Sequence, residues 1–229
     1  MKPSRNSFEV AGADGCKGGW FVATLSATLS DPSQASCVYT LEDVFVESTF
    51  AGVLSKTRDC RLVCVDIPIG LGDGEKPRQC DIAARTLLGR CASSVFPVPI
   101  RPCLSAADYE TACKISFERI GKKLSKQSFG IVAKIRQVDA LMTPALQYHV
   151  REIHPEVSFW ALNGKRPMPQ NKKTIPGQVH RRKVLQEVLA GVDGVLTQTP
   201  ARGYVMDDAL DALAAAWTAG QAVHSSYQR

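Results

Sequence analysis

No stretch of this 229-residue sequence stays apolar for the roughly 18 residues that a membrane-spanning helix needs, so no membrane partner is expected. No apolar core follows the opening Met1-Lys2-Pro3-Ser4-Arg5-Asn6, which argues against a secretory leader. The eight cysteines, at 16, 37, 60, 64, 80, 91, 103 and 113, include no Cys-x-x-Cys pair. Structural zinc sites ordinarily show closely paired ligands, so zinc is not expected. Cys64 lies inside an apolar run and reads as a small core residue. Without an export signal, reduced thiols and a cytoplasmic location are the simplest expectation. There is neither a G-x-G-x-x-G nor a Walker pattern; Gly15, Gly18 and Gly19 read as a tight hairpin turn. The basic runs are not interleaved with aromatic residues, so stacking on single-stranded bases is not indicated. No internal repeat or low-complexity tail is present.

What is there describes an ordinary folded chain. Hydrophobic residues make up 45% and charged residues 22% of the sequence, enough to bury a core and to exclude disorder as the basis of function. The length fits a single domain, residues 1–229. A net charge of +6 tilts the chain modestly towards polyanionic partners.

The hydrophobic pattern predicts an α/β protein. Residues 9–14, 20–25 and 37–41 read as strands of an antiparallel meander, 42–55 as an amphipathic helix, and 61–67 as a buried strand. Residues 72–146 differ: turns around Pro77, Pro97, Pro99 and Pro102 precede helical stretches at 105–120 and 128–140. This is expected to be an inserted helical region. Residues 148–159 read as a strand, 163–176 as a polar loop, 178–189 as a helix, and 207–222 as a final Ala-rich helix.

Acids stand where apolar runs stop. Asp14 ends the first strand and Asp66 the buried one. A charge at the end of a core strand is costly unless it is paired or holds a metal. If the two strands are neighbours with aligned ends, their carboxylates meet, and a divalent cation relieves the repulsion. Either Asp alone is equally well explained as a turn residue. In Asp207-Asp208-Ala209-Leu210-Asp211, helical phase makes Leu210, Leu213, Ala214 and Trp217 the buried stripe. Asp207 and Asp211 then lie at its edge and Asp208 further round, with Asp207 the natural N-cap. In an extended Glu152-Ile153-His154-Pro155-Glu156 segment, the two glutamates and the histidine share one face, where Glu152 can serve as ligand or general base.

Six segments follow in order: Asp14-Gly-Cys-Lys-Gly-Gly-Trp20, Val65-Asp-Ile-Pro-Ile-Gly70, Arg78-x-Cys-Asp81, Ser94-Val-Phe-Pro97, Glu152-Ile-His-Pro-Glu156 and the Asp-rich helix. Together they resemble the family known as domain of unknown function 429, described as predicted RNase H-like nucleases. The resemblance spans roughly residues 9–222. It implies an RNase H-like mixed sheet flanked by helices, and a nuclease that hydrolyses DNA or RNA with Mg²⁺ or Mn²⁺. The last helix is also similar to that of Holliday-junction resolvases, in which two acids bind metal. That similarity assigns the metal to Asp208 and Asp211 rather than Asp207, beside Asp14 and Asp66. With Glu152 these form the expected catalytic set. Lys17, Lys134, Lys173 and Arg181 are the expected substrate-binding residues; for the short basic runs the alternative is a solvated surface. Two other functions share the fold. One is nucleotide binding in the manner of actin-like ATPases and sugar kinases; those use two such domains, so this chain would have to form a homodimer. The other is a non-catalytic binding module, in which the acids are structural.

Overall fold

The computed structural model describes residues 7–29, 37–197 and 203–227. Residues 1–6, which bear on a leader, lie outside them. In chain order the elements are β1 (Ser7–Cys16), β2 (Gly19–Leu29), β3 (Cys37–Glu47), α1 (Phe50–Lys56), β4 (Leu62–Asp66), α2 (Gln79–Leu88), α3 (Tyr109–Ile120), α4 (Lys126–Gly130), α5 (Val132–Asp139), β5 (Val150–Glu152), α6 (Pro155–Leu162), α7 (Ile175–Gln186), β6 (Leu189–Ala190), α8 (Asp193–Thr197) and α9 (Met206–Tyr227). Among the described residues no helix is long and apolar enough to cross a membrane. The chain divides into two compact units, residues 1–66 with 143–229, and residues 67–142.

The first unit carries a six-stranded mixed sheet in the order β5-β4-β1-β2-β3-β6. β1 pairs antiparallel with β2, and β2 with β3; β4 runs parallel to β1, and β5 parallel to β4. Only β2 is therefore reversed, and this α/β arrangement is the RNase H-like sheet that the resemblance implies. Strand alternation sorts the side chains. Val10, Phe21, Ala23, Leu25, Leu62 and Cys64 line one face and form a core with Phe159, Leu185 and the buried side of α9. On the opposite face Trp20 packs on Phe50 of α1, with ring centroids 5.1 Å apart.

α9 lies unusually close to the sheet because both surfaces are small. Its residues from Ala212 to Ala216 are fully buried, and alanine also favours the helix itself. The facing strand residue is Gly12. A Cβ there would stand 2.1 Å from the Ala212 carbonyl oxygen and 2.1 Å from the Ala216 nitrogen. The helix is therefore buried around more of its circumference than a single stripe at 210, 213, 214 and 217 predicts, and Trp217 is only half-buried.

Three predicted boundaries shift, each for a physical reason. The helix expected at 42–55 begins only at Phe50, because β3 continues to Glu47. A bulge between Thr24 and Leu25 leaves Glu42 as an extra residue, which breaks the alternation that would have marked a strand. Thr49 then caps α1 by accepting the Gly52 N–H at 3.1 Å. The strand expected at 148–159 is only Val150–Glu152. His154 is extended, as a residue before proline should be, but as the N-cap of α6: its Nδ1 accepts the Glu156 N–H at 3.2 Å, and Pro155 is the first helical residue. The helix expected at 178–189 starts earlier, at Ile175, where Thr174 caps it.

The second unit is helical, with α2 to α5 and short 3₁₀ turns at Gly89–Ser94 and Arg101–Ser105. Its core gathers Ile100, Cys103, Ala112, Cys113, Leu124 and Val132. Asp108 caps α3 and Ser125 caps α4. The Arg136 guanidinium closes the turn between 104 and 106 by donating to both of those carbonyls. α2 is not evident from the sequence pattern: Leu88 is its only buried residue, so no apolar stripe announces it.

Candidate metal centre

β1 and β4 place two of the expected acids side by side. Asp14 and Asp66 are register partners across the parallel pair, so the pleat sends both carboxylates to the face that α9 covers. The third comes from the second turn of α9, where the close approach over Gly12 brings Asp211 down onto the strand ends. One carboxylate oxygen from each of Asp14, Asp66 and Asp211 lies within 4.8 Å of the others. Asp14 is 9% and Asp211 2% exposed.

Lys172 answers part of this charge. It lies in the loop between α6 and α7, and its Nζ donates to Asp211 Oδ2 at 2.6 Å. The loop is held by several contacts. The Asn171 carbonyl accepts from the Thr174 N–H and from its hydroxyl, and Asn171 Oδ1 accepts the Lys173 N–H at 2.9 Å. The Asn171 carbonyl sits against Gly177, where a Cβ would come within 2.0 Å of it. Behind the loop, Arg181 is 2% exposed and donates to the Gln170 carbonyl, while its Nη2 meets Glu156 Oε1 at 2.6 Å. Arg181 was expected at a substrate phosphate. It is instead an internal brace joining α6, α7 and the Lys172 loop, because its neighbours at the base of the loop are the Glu156 carboxylate and backbone carbonyls.

The electrostatics follow from crowding. Burial is the main cause of the raised pKa at each acid. For Asp14 the repulsion of Asp66 and Asp211 adds to it, and the carboxyl is held well above the usual range. Asp66 is pushed up to about 8, with Asp211 the next cause after burial. Asp211 is raised as well, although Lys172 opposes the rise. The Lys172 ammonium is correspondingly stabilised by the three acids, against the cost of its own burial. Asp211 Oδ1 is buried with no hydrogen-bond partner. Three carboxylates against one ammonium leave two negative charges, and one buried oxygen has nothing to bind. A divalent cation supplies what is missing, so the residues fit a metal.

The other expected residues fall elsewhere. Asp208 is not one of the three converging acids. Its Oδ2 accepts the N–H of Val205, just ahead of α9, at 2.8 Å, reaching back as the third residue of a capping box does. It still stands near enough to raise Asp14. Asp207, expected as the cap, instead accepts from Gln178 Nε2 at 3.0 Å. Glu152 pairs in register with Val65 rather than Asp66, so the pleat directs it away from the face of the three acids, though its charge contributes to raising Asp66. Lys17 is exposed at the tip of the two-residue turn between β1 and β2, and Lys173 is exposed beside Lys172. Lys134 belongs to α5 in the second unit. The residue missed in the sequence is Lys172. In the sequence it is one member, with Lys173, Arg181, Arg182 and Lys183, of a basic cluster that could track a phosphate backbone, and Lys173 is the member expected at the substrate.

The family described as "Protein of unknown function (DUF429)" matches residues 12–229, and the chain belongs to that family. No curated protein matches the chain. A structure of Thermus thermophilus RuvC aligns over 93% of this chain and 96% of its own, at 13% identity and a TM-score of 0.36. Likeness at that level decides nothing about the chemistry of the acids.

Proposed function

We propose that the protein is a divalent-metal-dependent nuclease that hydrolyses phosphodiester bonds of DNA or RNA. The observation that carries this reading is the convergence of Asp14, Asp66 and Asp211 within 4.8 Å, with a buried and unpartnered Asp211 Oδ1. These three residues would hold Mg²⁺ or Mn²⁺. When bound, such an ion supplies Lewis-acid activation of water and neutralises charge that develops at phosphorus.

The chain's own residues set the stage for that chemistry. The register of β1 and β4 and the Gly12 contact fix the three carboxylates before substrate arrives, which matters because misplacing a catalytic group by about 1 Å costs on the order of 100-fold in rate. Lys172 holds Asp211 in place and supplies one positive charge at the site, which in this reading would face a substrate phosphate. Lys17 and Lys173, both exposed, are placed to meet a polyanion in this reading. Asp208 and Glu152 act on the site through their charge.

The purified chain with Mn²⁺ should cut a single-stranded or branched DNA or RNA, lose that activity to a chelator, and lose it on Asp14→Asn or Asp211→Asn. Cutting that survives either substitution would falsify the assignment. So would Mn²⁺ leaving the melting temperature unchanged in the wild type.

A further inference from the structure

We propose that this site takes a single divalent cation, with the Lys172 ammonium standing as the second cationic group in place of a second metal. The inference rests on the metal-dependent reading above and deepens it.

The first argument is which oxygens are free. Two ions held about 4 Å apart need carboxylates that bridge them with both oxygens, or further ligands around each ion. Asp211 presents one unpartnered oxygen, Oδ1, while the Lys172 ammonium stands at Oδ2, 2.6 Å away, on the side where a second ion would have to bind. Asp208, the nearest further acid on α9, already spends Oδ2 on the Val205 N–H. The pleat directs Glu152 away from the cluster. One oxygen from each of Asp14, Asp66 and Asp211 lies within 4.8 Å of the other two. Oxygens bound to one Mg²⁺ lie about 3–4 Å apart, so the three can close on a single ion.

The second argument is charge. Three carboxylates and one ammonium leave two negative charges, which one divalent cation neutralises. Lys172, in hydrogen-bonding contact with Asp211, already offsets part of the charge that a second ion would neutralise. The third argument is that Lys172 is held by construction. The Asn171 turn, the Gly177 contact and the Arg181 brace all fix the loop that carries it. A surface lysine that met Asp211 by chance would need none of these.

The test counts ions on the full chain. Native mass spectrometry and calorimetric titration with Mn²⁺ should give one ion per wild-type chain. Electron paramagnetic resonance should show an isolated Mn²⁺ signal, not that of a coupled pair. Lys172→Ala should take up a second Mn²⁺ and give the coupled signal. Lys172→Arg, which keeps the cation, should remain at one. Two ions in the wild type, or one in Lys172→Ala, would overturn the proposal and leave the metal-dependent reading standing. No ion in the wild type would overturn both. The wild-type count holds its force even if the alanine variant fails to fold.

Discussion

Raising the pH should destabilise the cation-free protein across a range in which most proteins are indifferent. Asp66 carries the clearest signal. Its carboxyl is pushed up to about 8, chiefly by burial and then by Asp211, whereas in the unfolded chain it titrates near 3.9. Between those values the folded protein keeps a proton that the unfolded chain has lost, so stability is fully present at low pH and drains away as pH rises from about 4 to about 8. At about 1.4 kcal/mol for each pH unit, that interval amounts to about 6 kcal/mol. For a chain of this length it corresponds to a fall of roughly 10–20 °C in Tm. Asp14 and Asp211 shift in the same direction and add to the effect. Mn²⁺ binds the ionised acids, so its benefit should grow over the same interval. Melting curves at pH 5, 6, 7 and 8 in EDTA and in Mn²⁺ would show a falling series and a nearly level one. Asp66→Asn in EDTA should flatten the fall, which separates this site from the general titration of the chain. A Tm in EDTA that is level or rising from pH 5 to 8, or a Mn²⁺ benefit as large at pH 5 as at pH 8, would refute the reasoning.

Other substitutions separate the roles of neighbouring residues. Gly12→Ala sets a methyl group 2.1 Å from α9 backbone on two sides, so the helix must retreat by about 1 Å; stability should fall by about 1–3 kcal/mol in urea unfolding and the Mn²⁺-induced Tm shift should shrink. Unchanged stability and an undiminished Mn²⁺ response would mean that α9 is not seated on Gly12. Arg181→Ala removes the partner of half-buried Glu156; the expected cost is about 1.5–3 kcal/mol in denaturant unfolding. The salt dependence of nucleic-acid binding should stay the same, since Arg181 reaches no phosphate; a shallower salt slope would return it to the binding surface. Asp208→Ala should cost about 1 kcal/mol through the lost contact with the Val205 N–H while keeping most of the Mn²⁺ response, since only its charge acts on the site. Loss of that response would make Asp208 a ligand.

Why some of the site is legible in sequence and some is not follows from the range of the interactions involved. Asp14 and Asp66 can be found because each interrupts an apolar strand, a local signal, and adjacency of β1 and β4 does the rest. Asp211 follows from helical phase. The choice between Asp207 and Asp208 as cap fails because it depends on where α9 begins, and the residue just ahead of it, Val205, has no polar side chain to mark the place. Glu152 is misplaced by a single step of register, which is enough to reverse a side chain in a strand. α1 is obscured by a bulge whose extra residue, Glu42, no propensity foretells.

Lys172 is the deeper case. Acids accumulate at recognisable places, on strand ends and at the start of a helix, so a cluster of them leaves a pattern in the chain. The cation that offsets them need only arrive at the right point in space. Lys172 does so from a loop 39 residues before Asp211, with a sequence no different in kind from that of exposed Lys173 beside it. What distinguishes the two lysines is a turn closed on Asn171, a glycine that lets that turn settle on α7, and a buried arginine behind it. Arg181 looked like a surface cation for the same reason that Lys172 went unassigned: charge type is written in the sequence, but the side of the fold to which the charge turns is decided by packing. At this centre the two basic residues exchange the roles that composition suggests, the exposed-looking arginine becoming structure and the loop lysine becoming part of the site.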